Sequence, residues 1–196
     1  MAVARQPASP LGWFAVKNAD YEKLIRGMNG ADMGELYADI QAHNTPGWAR
    51  GKAFEYLVPR LFDLDKARVR WPYESKIGGQ IVEQIDGAIV ASGLHCLIES
   101  KDEKEPLAIA PVAKMRNQLL RRPAATIGMI FSTSGYTEPA QLLTNYLGSH
   151  TILLWHPQEV DLAIQRKQIL PLLKFKYTAC VEDGIHDADA TTPGIL

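Results

Sequence analysis

Two consecutive apolar segments, residues 81–91 and 94–101, constrain the fold of this chain more than any other feature. Ser92-Gly93 lies between them and is typical of a tight turn, which predicts an antiparallel hairpin. Each segment is apolar enough to be buried, yet each contains a carboxylate. Asp86 interrupts the first segment, and Glu99 lies near the end of the second. A carboxylate in a buried strand costs free energy unless it has a partner or a function.

The hairpin predicts that these carboxylates lie close together. Side chains alternate between the faces of a strand, so Glu99 and Lys101 share one face, and the turn brings Asp86 towards Glu99. Two carboxylates repel each other unless a cation lies between them, and oxygen ligands suit Mg²⁺ or Mn²⁺. Such an ion lowers the pKa of bound water, and Lys101 can orient or deprotonate that water or stabilise a charged transition state. The alternative is a solvated strand end.

The rest of the chain predicts helices around a sheet. Before the hairpin, helical periodicity covers residues 20–28 and 31–43, and a third helix begins at Thr45-Pro46 and runs to about 62. Pro59 should kink or end that helix. Residues 68–71 are a predicted short strand and 73–80 a loop. Further strands are predicted at 125–132 and 151–155, with helices at 108–121, 137–147, 157–168 and 171–182.

A strand meander followed by helical crossovers predicts an α/β fold, with a mixed β-sheet flanked by helices. The helices before residue 45 form an N-terminal helical extension to that sheet. Residues 1–17 contain Pro7 and Pro10 and are predicted to be an irregular arm, and the segment from 184 to 196 is a predicted disordered tail.

Composition excludes several classes of protein. Two cysteines do not make a disulfide framework, and neither a membrane-spanning apolar run nor a signal core is present, so we expect a cytoplasmic location. The net charge of -1 excludes a large basic field. Basic residues nevertheless cluster locally, at Arg68 and Arg70 and, more densely, in a group that comprises Lys114, Arg116, Arg121 and Arg122.

Other constellations are less informative. The five histidines are scattered and show no metal-ligand spacing with cysteine. Ser132 and Ser134 lack the G-x-S-x-G context of a serine hydrolase. Residues 131–136 are interpreted as a strand-to-helix turn that contacts a nucleic-acid phosphate, because helix N-termini attract anions.

Over residues 46–170 the order of these elements resembles the PD-(D/E)xK superfamily, which has the restriction-endonuclease-like fold, and is most similar to Mrr-type restriction endonuclease domains. The match lies in Asp86 and in Glu99-Ser100-Lys101, although Ile85 stands where the motif has proline. Glu55, on the preceding helix, matches an acidic residue that often completes the metal site. A solvent-facing position for Glu55 remains the alternative.

The resemblance implies accessory groups and an activity. Gln84, Lys114 and Gln118 are candidate accessory residues, with a solvated helix face as the alternative for the last two. The implied function is a Mg²⁺-dependent endonuclease that cleaves DNA, with Mn²⁺ as a substitute, in restriction or anti-phage defence. Asp86, Glu99 and Glu55 would hold the metal. The alternative is a non-catalytic nuclease-like module that binds nucleic acid or a partner protein.

These expectations divide the chain into three parts. Residues 1–45 would serve docking or dimerisation, residues 46–183 would form the nuclease domain, and residues 184–196 would be the tail. A homodimer or a subunit of a larger complex is expected, because enzymes of this fold often pair to cut both strands.

Overall fold

The protein is described here by a computed structural model, which describes residues 18–146 and 150–192. The predicted arm, residues 1–17, lies outside the described residues. Helices and strands follow one another in the order α1 Asn18–Arg26, α2 Gly30–Gln41, α3 Lys52–Leu64, β1 Arg68–Arg70, β2 Tyr73–Ile77, β3 Gln80–Ile85, β4 Gly87–Ala91, β5 Leu94–Lys101, α4 Ala110–Leu119, β6 Thr126–Ser132, α5 Glu138–Asn145, β7 Ile152–Trp155, α6 Pro157–Arg166 and α7 Leu170–Asp183.

The predicted mixed sheet flanked by helices is confirmed. Five strands pair in the order β1-β4-β5-β6-β7, with β1, β4 and β5 antiparallel and β5, β6 and β7 parallel. Ser92 and Gly93 have φ values of 52° and 80°, the left-handed turn that matches the twist of a two-residue hairpin. The parallel pairs need crossovers, which α4 and α5 provide. β6 is buried along its whole length, as expected for a central strand.

Two apolar layers cover the two faces of this sheet. On one face, Ile98, Phe131 and Trp155 pack in a core that includes residues of α1, α2, α3, α6 and α7. On the other face, Leu97 and Ile130 pack with residues of α4 and α5. The predicted N-terminal helical extension is therefore confirmed as two helices that share the core of the sheet. The docking or dimerisation role of residues 1–45 stays a prediction.

The third helix differs from its predicted form. α3 begins at Lys52 and not at Thr45-Pro46, because Gly47 and Gly51 adopt φ values of 84° and 75°, which interrupt helical geometry. Pro59 was expected to kink or end the helix, but α3 continues to Leu64. Because proline has no N–H, the Glu55 carbonyl has no donor from residue 59 in the helix.

The region before Asp86 also differs. Residues 73–80, predicted as a loop, contain β2, which pairs with β3 in a separate two-stranded sheet. Residues 81–91, predicted as one strand, divide at Asp86 into β3 and β4. Gly78 and Gly79, with φ values of 58° and 82°, form the hairpin turn that allows this pairing. Asp86 therefore marks the point at which the chain passes from one sheet to the other.

The predicted disordered tail is wrong for residues 184–192, which pack against the domain. The ring of His186 lies 2.9 Å from the carbonyl oxygen of Ile152, and Ala190 is buried. The reason is a buried ion pair between Lys176 and Glu159, which also bonds the tail backbone: Lys176 donates to the carbonyl of Ala188 at 2.6 Å. Residues 193–196 lie outside the described residues.

Across the described ranges, every helix is too short or too polar to cross a membrane.

Candidate active site

Asp86 and Glu99 meet at one end of the central sheet. In the register of β4 and β5, Gly87 lies opposite Ile98, so the residues next to them, Asp86 and Glu99, are brought to the same level. The backbone N–H of Ser100 donates a hydrogen bond of 2.7 Å to Oδ2 of Asp86. The structure thus brings together the two carboxylates that the hairpin predicted.

The carboxyl group of Asp86 is buried and lies near two other carboxylates. Burial, followed by the charges of Glu99 and Glu55, raises the pKa of Asp86 to about 7, against the smaller opposing effects of the Ser100 N–H and Lys114. Glu99 and Glu55 therefore both lie within electrostatic range of Asp86. A positive charge placed among them would lower the free energy of their ionised forms.

Glu99 is buried and is bonded by two lysines. Its side chain is only 1% exposed, Lys101 Nζ lies 2.6 Å from Oε1, and Lys114 Nζ lies 2.7 Å from both oxygens. Burial by itself lowers the pKa of Lys101, but the hydrogen bond and charge of Glu99, with smaller contributions from Asp86 and Glu103, raise it overall. Lys101 is therefore held as an ammonium ion in this arrangement.

Glu55 reaches the site from α3. One turn later on the same helix, Pro59 packs so closely on β4 that a Cβ at Gly87 would lie 3.1 Å from its Cγ. That close approach sets Glu55 beside Asp86, where both line a small pocket of about 160 Å³. The Glu55 side chain is 17% exposed and accepts bonds of 2.6 Å from Lys52. The alternative of a fully solvent-facing Glu55 does not hold.

The candidate accessory residues occupy different places. Lys114 bonds Glu99 directly, so it belongs to the site and is not confined to a solvated helix face. Gln84 is exposed and lines the same pocket as Glu55 and Asp86. Gln118 is buried, and its side-chain amide lies 3.4 Å from the backbone carbonyl of Gln84, so it packs under the β2–β3 hairpin.

The pocket that Glu55 and Asp86 line, called the carboxylate pocket below, is also lined by Lys52 and Tyr73, which were not among the predicted site residues. The spacing of Lys52 from Glu55, three residues on one helix, was a usable signal, because residues three apart are neighbours on a helix surface. Tyr73 lies in the segment predicted as a loop. Its place beside the carboxylates follows from strand β2, which the sequence did not predict.

The predicted turn between β6 and α5 is present, but its hydroxyl groups are engaged within the protein. Ser132 Oγ donates to the carbonyl of Gly135 at 2.9 Å, and Ser134 Oγ donates to that of Glu105 at 2.6 Å. Contact between this turn and a phosphate remains a prediction.

The donor set fits a magnesium ion in its chemistry. Asp86, Glu99 and Glu55 offer only carboxylate oxygens, which Mg²⁺ and Mn²⁺ prefer. Within the parts of the chain that are described, no three acidic, histidine or cysteine side chains stand close enough together to hold an ion. Lysines occupy the oxygens of Glu99 and Glu55 instead. An ion bound by Glu99 would therefore compete with Lys101 and Lys114 for these oxygens.

No family model matches the chain, and neither does any curated protein. Among solved structures, a protein of unknown function, AF1548, is similar at 16% identity and a TM-score of 0.47, over 76% of this chain and 79% of that one. The DNA modification-dependent restriction endonuclease AspBHI is similar at 18% identity and a TM-score of 0.42, over 81% of this chain and 40% of its own.

The MspJI restriction endonuclease, in complex with a 27-mer oligonucleotide, is similar at 19% identity and a TM-score of 0.35, over 86% of this chain and 35% of its own. This chain thus spans less than half the length of these two endonucleases. All three TM-scores lie below 0.5, so the case for a function depends on the geometry of the site.

Proposed function

We propose that this chain is a metal-dependent nuclease that hydrolyses phosphodiester bonds in DNA at the site formed by Asp86, Glu99, Lys101 and Glu55. The observation that carries the proposal is the meeting of Asp86 and Glu99 at the end of β4 and β5, with Glu55 lining the same pocket as Asp86. Burial, and then the charges of Glu99 and Glu55, raise the pKa of Asp86 to about 7. A divalent cation would relieve both the burial of this carboxylate and its repulsion by the two neighbouring ones.

Each side chain has a role in this chemistry. Asp86 and Glu99 would hold the ion, and Glu55 would assist from α3. A bound Mg²⁺ supplies a water of lowered pKa and neutralises charge on the phosphate. Lys101, held as an ammonium by Glu99, suits the role of orienting the attacking water or stabilising the charged transition state better than that of a general base.

The substrate and setting are part of the proposal. The resemblance to PD-(D/E)xK enzymes supports DNA as the substrate, a 5′-phosphate on the product and a setting in restriction or anti-phage defence. A homodimer or a larger complex would supply a second site for cutting the other strand.

A cleavage panel tests the proposal. Supercoiled plasmid, linear duplex DNA, single-stranded DNA and RNA are incubated with the protein in Mg²⁺, in Mn²⁺ or in EDTA. We expect cleavage of DNA that requires the metal and falls at least 100-fold in Asp86→Asn, Glu99→Gln and Lys101→Ala. Lys104→Ala and Glu105→Gln, in the exposed loop after β5, are matched controls that should keep full activity. Cleavage that persists in all three site variants would overturn the assignment.

A non-catalytic module is the second candidate, and one observation favours it. Both oxygens of Glu99 are bonded by Lys114 and one also by Lys101, an arrangement that is stable without an ion. Calorimetric titration with Mn²⁺ distinguishes the metal-dependent nuclease from the non-catalytic module. A catalytic site should bind the ion and lose that binding in Asp86→Asn, whereas a module without catalysis should show no heat in either protein.

A further inference from the structure

A groove of about 460 Å³ lies on the open half of the sheet face that carries Glu99. The strand register orders its floor in rows across β1, β4 and β5. One row holds Arg70, Ala88 and Leu97, and the next holds Arg68, Val90 and His95. Facing residues in paired strands point to the same side, so both arginines project over an apolar floor.

The groove carries uncompensated positive charge. Arg68 and Arg70 are exposed, and His95 beside them is exposed as well. None of the residues that line the groove is acidic. Within the described residues, neither arginine forms a salt bridge, whereas Arg121 and Arg122, on the other basic cluster, both bond Glu83. An anion is the complementary ligand for such a surface.

Tyr73 joins the groove to the carboxylate pocket. It lines both cavities, and the guanidinium carbon of Arg70 lies over its ring, 3.6 Å from the centroid. Along β5, Leu97 and His95 precede Glu99 by two and four residues, which corresponds to about 7 and 13 Å at 3.3 Å per residue. The row that contains Arg70 therefore lies two residues along β5 from Glu99, and the row that contains Arg68 lies four residues from it.

We propose that this groove is a nucleotide-binding subsite, which holds one nucleotide of a single polynucleotide strand that continues from the carboxylate pocket past Tyr73. Arg68 and Arg70 attract the phosphate, and Tyr73 with the apolar floor accommodates the base. This inference rests on the proposed nuclease function and adds the path of its substrate. A cavity of this volume suits one nucleotide and is too small for a duplex, and single strands are bound by grooves that combine cations with aromatic rings.

Binding in the absence of metal tests the inference separately from cleavage. The probe is a fluorescein-labelled 12-nucleotide single-stranded DNA in EDTA, measured by fluorescence anisotropy with the full chain. We expect Arg68→Gln/Arg70→Gln to bind at least 10-fold more weakly. The slope of log affinity against log salt should fall by about 1, as expected when a phosphate contact is lost. Arg166→Gln, an exposed arginine at the end of α6, should bind like the wild type.

The outcomes are distinguishable. Equal binding by the wild type and the double variant, at unchanged melting temperature, would overturn the subsite, as would a wild type that does not bind the probe. Deoxyadenosine monophosphate that binds as tightly as the oligonucleotide would overturn the strand path. If the arginines control binding but no metal ion supports cleavage, the subsite stands and the proposed nuclease fails. If the protein cleaves DNA but the double variant binds the probe like the wild type, the proposed nuclease function stands and the subsite fails.

Discussion

At the scale of single residues, the site is a balance between carboxylates and lysines. Glu99 is stabilised by two ammonium groups, whereas Asp86 accepts a backbone N–H and has no lysine bonded to it among the described contacts. Burial of Asp86, together with the charges of Glu99 and Glu55, therefore raises the pKa of its carboxyl group.

Asp86→Asn should stabilise the metal-free protein at high pH. The folded pKa of about 7 lies above the ordinary value of 3.8, so ionisation costs more in the folded state than in the unfolded chain. Wild-type stability is therefore lost progressively between about pH 4 and pH 7, and asparagine removes the loss. We expect a gain of about 1 kcal/mol or more at pH 8, since one pKa unit corresponds to ~1.4 kcal/mol, and little difference at pH 4.

Thermal unfolding in EDTA at pH 4, 6 and 8 measures this effect. Glu105→Gln, an exposed carboxylate outside the site, is the control and should show no such trend. A variant that is less stable than the wild type at pH 8 would contradict the cost of ionising Asp86 in the folded protein.

Lys114→Met should strengthen metal binding. Lys114 is about half exposed and bonds both oxygens of Glu99, so it competes with an ion for the same carboxylate. Removing it should enlarge the rise in melting temperature that Mn²⁺ causes at a fixed concentration, because a tighter ligand stabilises the folded state more. Arg116→Met, on the exposed face of the same helix, should leave the shift unchanged. An equal or smaller shift in Lys114→Met would show that the lysine does not compete.

At the scale of elements, the contact between α3 and β4 determines whether Glu55 reaches the site. Gly87 allows this contact because it has no side chain. A Cβ at this position would lie 3.1 Å from Pro59 Cγ and 3.3 Å from Ile98 Cδ1, both closer than ordinary packing. Glycine is thus needed here because helix and strand approach closely, and not because the backbone adopts a positive φ. The helix in turn fixes Glu55 one turn away from Pro59.

Gly87→Val should push α3 away from β4 and destabilise the protein by about 1–3 kcal/mol, the usual range for an overpacked core. Urea unfolding measures the loss. Gly34→Ala is the control, since a Cβ there would make an ordinary contact of 3.8 Å with Ile164 and alanine favours the helix. A fully stable Gly87→Val protein would show that the close approach is not required.

At the scale of the whole molecule, the C-terminal residues are held by one buried ion pair. Lys176 and Glu159 are 0% and 1% exposed and lie 2.6 Å apart. Oε1 of Glu159 also accepts the N–H of Ala190 at 2.9 Å, and Oε2 accepts that of His156 at 2.8 Å. The pair therefore joins α6, α7 and the residues after α7 into one unit.

Glu159→Ala should cost about 3–5 kcal/mol, because it leaves the ammonium of Lys176 buried without a counter-charge. Limited proteolysis should then cut within residues 184–192, which the wild type protects. Asp161→Ala, an exposed position on the same helix, should change stability by less than about 0.5 kcal/mol. Unchanged stability of Glu159→Ala would contradict the role of the pair.

The sequence by itself determined the central hairpin, the buried parallel strands and the proximity of Asp86 to Glu99. These depend on local signals, namely alternation, an apolar run and a Ser-Gly turn, which act over a few residues. The same local signals placed most helices to within a few residues.

Only the tertiary structure decided the rest. Lys114 and Glu99 are 15 residues apart in sequence, and Arg68 shares its row with His95 through the pairing of three strands. The structured tail depends on Lys176 and Glu159, whose pairing no periodicity indicates. In each case a charge is positioned by elements that meet only after folding, so the balance of lysines and carboxylates at Glu99 could not be deduced from the order of residues.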